Sequence, residues 1–317
     1  MLAFRAGSVE KSATDTGTIM EVEGLRKAYG GALAVEALDM SVTRGEIFGL
    51  LGPNGAGKTT TVECLQGLRR RSGGRVRVLG LDPDRDGDEL RRRIGAQLQS
   101  AALPDRLRVG EAFSLFARNG AQKQEVDEQG RRWDLRDLWR RPFGRLSGGQ
   151  QQRLFIALAL LNRPEVVFFD ELTTGLDPQA RRATWDLVRR VRDDGATVVL
   201  VTHFMEEAET LCDRVAIVDQ GRLVATGRPD ELVDQTNSER RVTFTWPEAD
   251  VGWLATLPEV RRVSAAGERV EVIGTGAVAV QTAAALAHRG LEPSDFRTYH
   301  PNLEDVFLAL TGRNLRS

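Results

Sequence analysis

Three absences narrow the class of protein before any motif is considered. The 317-residue chain has only two cysteines, Cys64 and Cys212, whose wide separation matches neither a disulfide framework nor a metal-ligand spacing. It contains no apolar run of the ~20 residues that cross a bilayer, and its first residues contain no apolar stretch typical of a signal peptide. We therefore expect a protein of the reducing cytosol that needs a separate partner if it serves a membrane.

The chain also lacks an excess of charge of either sign. Its 44 Lys and Arg residues balance 45 Asp and Glu residues, which leaves a net charge of −1 and no global signal for nucleic-acid binding. Lysine itself is scarce, because Lys11, Lys27, Lys58 and Lys123 are the only four in the sequence. A lysine at the end of a glycine-rich loop therefore stands out.

That loop is GPNGAGKT at 52–59, which matches the phosphate-loop pattern G-x-x-x-x-G-K-[ST] between an apolar strand and a helix. Its glycines, Gly52, Gly55 and Gly57, can adopt positive φ and let backbone N–H groups converge on phosphate oxygens, and the helix start adds unpaired N–H groups. We expect Lys58 to contact the β- and γ-phosphates and the Thr59 hydroxyl to ligate Mg²⁺. A plain glycine-rich turn is the alternative, which the lysine and threonine at this spacing disfavour.

Two carboxylates and a histidine follow other predicted strands. Asp170 and Glu171 come at the end of an apolar strand, and His203 follows the next one. At the carboxyl edge of a parallel sheet, Asp170 can hold Mg²⁺ through water and Glu171 can polarise the attacking water as general base. His203 can contact the γ-phosphate at the same edge. Seen alone, each residue is more often a surface or packing residue, and the phosphate loop favours the catalytic interpretation.

The segment LSGGQQQR at 146–153 predicts a helix start. Ser147 and Gln150 have capping-box spacing, and three later leucines continue one helical face. A helix start with two glycines after a serine cap is also an anion site, because its N–H groups are open and no side chain is in the way. Nothing else in the chain needs a second phosphate site, so we expect this one to serve the nucleotide of another copy.

The order of the predicted elements indicates an α/β core with parallel strands and crossover helices. Three strands are predicted before the loop, a helix begins at Lys58, the segment VRVLGLDP predicts a strand, and residues 103–141 predict a mostly helical insert. The alternating elements that follow are strands 166–169, 197–202 and 215–219 and helices around 179–192 and 205–212.

The character of the sequence changes after about residue 236, where we expect a small separate α+β domain of ferredoxin-like type. Its clearest element is the last helix, because Asn302 caps the start and Gly312 the end of an apolar face. The predicted strands are 240–246, 260–265, 269–273 and 295–299, and the predicted helices are 278–289 and 303–311.

Taken together, these stretches resemble the nucleotide-binding subunit of ABC transporters over residues 18–235, and LSGGQ is the most specific of them. The resemblance implies an α/β phosphate-loop NTPase core with a mixed sheet, an antiparallel β subdomain and a helical subdomain at about 100–145. A small α+β domain follows at 236–317, and residues 1–17 are interpreted as a disordered lead. The segments THFMEEAE and YHPNLEDVFLALTG resemble bacterial drug and polyketide-antibiotic exporter ATPases of the daunorubicin-resistance type.

The resemblance also assigns residues. Tyr29 resembles the aromatic residue that stacks on adenine, and Asp177 the residue that communicates between two sites. Gln99 resembles the glutamine that links Mg²⁺ and the γ-phosphate to the helical insert, with Gln97 as the alternative. The implied nucleotide-binding residues are Tyr29, Gly52, Pro53, Asn54, Gly55, Ala56, Gly57, Lys58, Thr59, Thr60, Gln99, Ser147, Gly148, Gly149, Gln150 and Asp177. The implied catalytic residues are Lys58, Glu171 and His203, and the implied Mg²⁺ ligands are Thr59, Gln99 and Asp170.

One position departs from the family pattern. The family commonly has proline after the catalytic glutamate, and this chain has Leu172. Because proline fixes φ, we expect leucine to loosen the turn toward Asp177 slightly and to remove no catalytic group.

These expectations describe an ATP-hydrolysing motor subunit on the cytoplasmic face of the membrane. Two copies would sandwich ATP and Mg²⁺ and drive a separate transmembrane permease, for export of a drug or other hydrophobic compound, without nucleic acid. A soluble ABC ATPase acting on DNA or ribosomes is the alternative. It is disfavoured because Lys58 and Ser147 are only 89 residues apart, with no long heptads and one ATPase domain. A regulatory ATP sensor is disfavoured by the intact Glu171 and His203.

Overall fold

The computed structural model describes residues 17–97, 103–117, 123–236, 239–247 and 251–312. The chain forms two compact units that are interleaved in sequence. The first contains Met1–Glu46, Thr59–Phe169 and Leu176–Val198, and the second contains Ile47–Lys58, Asp170–Gly175 and Val199–Ser317. This division cuts through the predicted ATPase core, and the predicted domain boundary near residue 236 stays a prediction. The predicted disordered lead over 1–17 lies almost wholly outside the described residues.

The described part of the chain contains both strands and helices and begins with three successive strands. The strands are β1 (Thr18–Tyr29), β2 (Ala32–Thr43), β3 (Ile47–Leu51), β4 (Gly73–Val78), β5 (Ile94–Gln97), β6 (Val166–Asp170), β7 (Thr197–Thr202), β8 (Arg214–Asp219), β9 (Arg222–Gly227), β10 (Arg240–Thr245), β11 (Val260–Ala266), β12 (Arg269–Gly274) and β13 (Ser294–Tyr299).

The α-helices are α1 (Lys58–Leu65), α2 (Gly87–Arg93), α3 (Val109–Phe116), α4 (Lys123–Arg132), α5 (Gly148–Ala159), α6 (Pro178–Asp193), α7 (Met205–Leu211), α8 (Pro229–Gln235), α9 (Val278–His288) and α10 (Leu303–Thr311). Short 3₁₀ helices lie at Arg136–Leu138, Phe143–Arg145 and Gly252–Thr256. None of the helices described is long and apolar enough to cross a membrane. The sequence analysis located most of these elements and missed α2, β5, β9 and α8.

In the first unit, β1, β2 and β4 form an antiparallel sheet in the order β2-β1-β4. The turn between β1 and β2 is Gly30–Gly31, and both residues have positive φ, which matches the type I′ turn of a tight hairpin. Alternate residues such as Val22 and Leu38 are fully buried while their neighbours face outward. The antiparallel β subdomain expected from the family resemblance is therefore present.

The predicted helical insert is also found in the first unit. Within residues 103–117 and 123–145 the regular elements are helices, apart from one isolated bridge between Arg108 and Pro142. The Trp139 ring stacks on Phe113 with centroids 4.9 Å apart. A Cβ added at Gly110 would lie 2.3 Å from Trp139 Nε1, so glycine is required there by close packing.

Six strands belong to a mixed sheet, as expected for the α/β core. In the first unit β5 pairs with β6 in parallel, and in the second β3 pairs with β8 in parallel while β8 pairs with β9 antiparallel. Strands β6 and β7 contribute residues to both units. Every residue of β3, β6 and β7 is buried, which is typical of parallel strands covered on both faces.

The last four strands form an antiparallel sheet in the order β11-β12-β10-β13. That order, together with α9 between β12 and β13, is the ferredoxin-like arrangement, and it confirms the predicted topology. The 3₁₀ helix Gly252–Thr256 stands where the first α-helix of that motif is usual. The core includes Val242, Phe244, Leu254 and Val272.

The last helix is formed by the local signals that predicted it. The Asn302 side chain accepts hydrogen bonds from the N–H groups of Glu304 and Asp305, and Gly312 ends the helix at φ +68°. The first N–H of α10, at Leu303, donates to the carboxylate of Glu209 in α7. Burial of the Glu209 carboxyl raises its pKa against the lowering effect of this hydrogen bond.

An ion pair in the first unit makes folding sensitive to acid. Arg71 binds Asp82 through two hydrogen bonds of 2.8 Å, and this contact lowers the pKa of Asp82 to about 2. Because the folded-state pKa is depressed, the contribution is complete above about pH 4 and is lost as the pH falls toward 2. We expect Asp82→Asn to lower the free energy of unfolding by about 2 kcal/mol at pH 7.

Urea unfolding at several pH values measures this contribution. The difference between wild type and Asp82→Asn should shrink as the pH falls from 4 to 2. Asp88→Asn is the matched control, because the Asp88 side chain is 92% exposed and pairs only on the surface. A difference that stays constant down to pH 2 contradicts the prediction.

Candidate functional site

The loop between β3 and α1 requires glycine for two different reasons. A Cβ added at Gly52 would lie 2.0 Å from the carbonyl oxygen of Val218 in β8, so the neighbouring strand leaves no room for a side chain. Gly55 and Gly57 have φ angles of +79° and +97°, which other residues rarely adopt. The sequence pattern predicted the positive φ angles, and the contact with β8 could not be read from it.

The Lys58 side chain is buried at the first residue of α1. Its ammonium Nζ donates to the carbonyl oxygens of Gly52 at 2.8 Å and Pro53 at 2.9 Å. Burial lowers the pKa of Lys58, and the nearby carboxylates of Glu171 and Asp170 oppose that shift. The loop therefore holds a positive charge whose attraction for an anion is weakly screened by water.

The two carboxylates predicted to act with this lysine lie in the same unit. Asp170 ends β6 and is 2% exposed. Glu171 follows it with φ +52°, an unfavourable value for a residue with a side chain. Its backbone N–H donates to the carbonyl oxygen of Val201 in β7 at 2.9 Å, which attaches the glutamate to the end of that strand.

The predicted histidine lies beside the glutamate. His203 follows β7, and its Nδ1 is 3.3 Å from Glu171 Oε1. The Glu171 side chain is 8% exposed and that of His203 is 27% exposed. A second side-chain contact joins the segment after Glu171 to α7, because Thr173 Oγ1 donates to Glu207 Oε1 at 2.8 Å. The second unit thus brings together Lys58, Asp170, Glu171 and His203, as the sequence motifs predicted.

The first unit contains the other predicted helix start. Ser147 is the N-cap of α5, and it exchanges capping-box hydrogen bonds with Gln150 as predicted. Gly148 and Gly149 then open the helix. Asp177 is the N-cap of α6 and accepts from the N–H of Ala180 at 2.8 Å. This capping role was missed, although Asp177 followed by Pro178 is a helix-start signal.

The remaining predicted ligands are placed in part. Tyr29 is 41% exposed at the end of β1, with Lys27 Nζ 4.9 Å and the Arg69 guanidinium 5.2 Å from its ring centroid. Gln97 ends β5 and is buried. Gln99 lies outside the described residues, so the choice between the two glutamines stays open.

The donor atoms at the predicted site have the chemistry that suits Mg²⁺. The described residues include no group of three or more His, Cys, Asp or Glu side chains that could hold a metal ion. Mg²⁺ is usually bound through one or two protein oxygens, with phosphates and water completing its shell. The Asp170 carboxylate in the second unit offers such an oxygen, and the Thr59 hydroxyl in the first unit stays a predicted ligand.

A phosphate loop with a buried lysine, beside a carboxylate pair and a histidine at strand ends, defines a phosphate-loop nucleotide hydrolase. Residues 35–174 match the ABC transporter family. The chain is 40% identical over 314 residues to daunorubicin resistance ATP-binding protein DrrA3 of Streptomyces coeruleorubidus, covering 94% of this chain and 98% of that protein. The chain therefore belongs to the ATP-binding proteins of the ABC transporter family.

Other relatives agree with this assignment. The Nod factor export ATP-binding protein I of Ralstonia nicotianae is 38% identical over 306 residues, covering 94% of this chain and 95% of that protein. A solved ATP-binding subunit of an ABC transporter is similar with a TM-score of 0.62 and 29% identity, over 69% of this chain and 93% of that one. The predicted fold class, nucleotide binding and ATPase activity are confirmed.

The close approach of β8 makes a testable distinction between two glycines of one loop. Gly52→Ala brings a Cβ against the Val218 carbonyl, while a Cβ at Gly55 meets nothing within 4 Å. We expect Gly55→Ala to cost about 1 kcal/mol through its positive φ, and Gly52→Ala to cost clearly more. Urea unfolding without nucleotide measures both. Equal destabilisation by the two substitutions contradicts the role given to the Val218 contact.

Proposed function

We propose that this ATPase is the motor subunit of an exporter and drives a drug, antibiotic or other hydrophobic compound through a separate transmembrane permease. The proposal rests on the grouping of Lys58, Asp170, Glu171 and His203 in one unit of a chain whose relatives are named for resistance and export. The similarity to those relatives covers nearly the whole chain. One of those relatives is named for daunorubicin resistance and the other for Nod factor export. In this proposal the permease selects the cargo, and the ATPase supplies the force on the cytoplasmic face of the membrane.

Each residue of the site has a distinct task in hydrolysis. Lys58 neutralises charge on the β- and γ-phosphates, and Glu171 accepts a proton from the attacking water as general base. His203, 3.3 Å from Glu171, orients that carboxylate and contacts the γ-phosphate. Tyr29 stacks on the adenine ring. Thr59, Asp170 and Gln99, or Gln97 in place of Gln99, would hold Mg²⁺, and the ion would supply neutralisation of phosphate charge when it is bound.

The second anion-binding helix start, at Ser147, has its role in a homodimer, where it faces the nucleotide of the other copy. Ser147, Gly148, Gly149 and Gln150 of one copy would contact the γ-phosphate held by the phosphate loop of the other, so that two copies enclose two ATP molecules. Asp177 communicates between the two sites. Closure on ATP and opening after hydrolysis would move the permease without any nucleic acid.

Removal of the general base separates ATP binding from turnover. We expect Glu171→Gln to lower kcat by about a hundredfold or more while ATP affinity changes little, because only the proton acceptor is lost. Steady-state ATPase assays and equilibrium ATP binding measure the two effects. Wild-type turnover by the purified variant removes Glu171 from the mechanism.

Transport itself is tested with the partner present. Cells that express the chain with its permease should expel a fluorescent anthracycline, and cells with Glu171→Gln should not. Glu206→Gln is the control, because Glu206 is an exposed neighbour of the site on α7. ATPase activity that is intact while neither this compound nor other hydrophobic compounds leave the cells contradicts the export proposal and leaves the ATPase assignment in place.

Complementation tests the shared site. Lys58→Ala disables the phosphate loop, and Ser147→Arg fills the space for the γ-phosphate at the signature helix, so each variant alone should be nearly inactive. A mixed dimer retains one site with an intact loop and an intact helix start. We expect mixing to restore ATPase activity, at most about half the wild-type rate per dimer for independent sites.

Subunit exchange and association are measured alongside activity. Labelled subunits report exchange, and gel filtration with ATP reports dimer formation. Recovery of either activity or ATP-dependent association supports the sandwich dimer. Exchange without recovery of either one excludes the sandwich dimer for this protein.

A further inference from the structure

A hydrogen bond between two fully buried side chains lies next to the catalytic glutamate. Thr173 Oγ1 donates to Glu207 Oε1 at 2.8 Å, and each residue is 1% exposed. Thr173 is two residues after Glu171, and Glu207 is four residues after His203 on α7. The bond therefore joins the segment that carries the proposed general base to α7, the helix that follows its histidine neighbour.

The backbone of Glu171 is held in a conformation that it would not choose alone. Its φ of +52° is in the left-handed region, which is unfavourable for a residue with a Cβ. Such a residue persists only where its surroundings fix it. Here its N–H donates to Val201, its carbonyl oxygen accepts from the N–H of Thr174 at 3.2 Å, and the next side chain, Leu172, is 1% exposed.

Those backbone contacts fix the start of the turn, and the Thr173–Glu207 bond fixes its continuation against α7. A buried carboxylate costs free energy unless it is hydrogen-bonded. This hydrogen bond therefore stabilises one arrangement of the turn after Glu171 against α7 and disfavours others. The position after Glu171 is Leu172, whose side chain does not fix φ as proline would. A side-chain bond one residue later therefore restrains a turn that no proline stiffens.

We propose that Thr173 and Glu207 are positioning residues for ATP hydrolysis, which hold the Glu171 carboxylate in register with His203. Neither residue touches nucleotide, and both act through Glu171. This inference rests on the role proposed for Glu171 as general base. Its signature is a loss of kcat at nearly unchanged KM, because the bond shapes the reacting geometry and leaves the phosphate loop intact.

Paired substitutions test the bond from both sides. Thr173→Val removes the hydroxyl at constant shape, and we expect kcat to fall roughly 10- to 100-fold with KM for ATP within about threefold. Thr173→Ser keeps the hydroxyl and should retain most of the activity. Glu207→Gln keeps an acceptor oxygen and should stay near wild type, whereas Glu207→Ala should match Thr173→Val. Glu206→Gln, on the exposed side of the same helix, is the control.

A double substitution shows whether the pair acts through the glutamate. In a Glu171→Gln background, Thr173→Val should lower the residual rate by less than about twofold, since the group that it positions is already gone. The proposal is overturned if Thr173→Val lowers the rate by the same factor in the Glu171→Gln background as in the wild type. It is also overturned if Thr173→Val alone has wild-type kcat. ATP binding and thermal unfolding confirm that each variant is folded. If Thr173→Val does not fold, the change in kcat is measured with Glu207→Ala instead. Wild-type turnover by Glu171→Gln alone would instead reject the general base itself.

Discussion

The buried ammonium of Lys58 is the charge around which the site is arranged. Taking a charge out of water is costly, and the chain offsets this cost with two carbonyl oxygens of the loop and two carboxylates at strand ends. The carbonyls reach Nζ only because the loop is tightly turned at Gly52. That turn is in contact with β8, so the placement of one positive charge depends on the pairing of β3 with β8.

The same strand ends explain why the catalytic groups converge. Glu171 and His203 follow the carboxyl ends of β6 and β7, and the hydrogen bond from the Glu171 N–H to Val201 holds these two strand ends close together. Different elements therefore hold the two charged groups in place. The Lys58 ammonium depends on the β3–β8 pair, and the Glu171 carboxylate depends on β7 and α7. We expect substitutions near the β3–β8 pair to change mainly the affinity for ATP, and substitutions near β7 and α7 to change mainly kcat. Mutant kinetics can resolve the two effects.

Local patterns predicted the parts of the molecule that local forces determine. The caps of α10, the capping box of Ser147 and the positive φ of Gly55 and Gly57 follow from neighbouring residues, and the sequence revealed them all. The buried strands β3, β6 and β7 were predicted because their apolar runs are short and end in turn or polar residues.

The features that the sequence did not reveal depend on distant residues. Thr173 and Glu207 are 34 positions apart, and neither type of residue signals a buried bond. The steric role of Gly52 depends on a carbonyl of β8, and the short strand β5 is recognised only through its pairing with β6. The ferredoxin-like topology was predictable from the order of elements, although its first helix is reduced to a 3₁₀ turn.

The pairing of β3 also determines how early the nucleotide loop can form while the chain is being synthesised. The Ile47 N–H donates to an oxygen of Asp213, 166 residues further along the chain, and β3 pairs with the strand that begins next. At ~5–20 residues per second, a ribosome needs roughly ten to thirty seconds to deliver that partner. The β1–β2 hairpin can close almost at once, because its strands are adjacent. The nucleotide loop therefore forms late in synthesis, and the apolar strand before it stays unpaired until its neighbours β7 and β8 have been made.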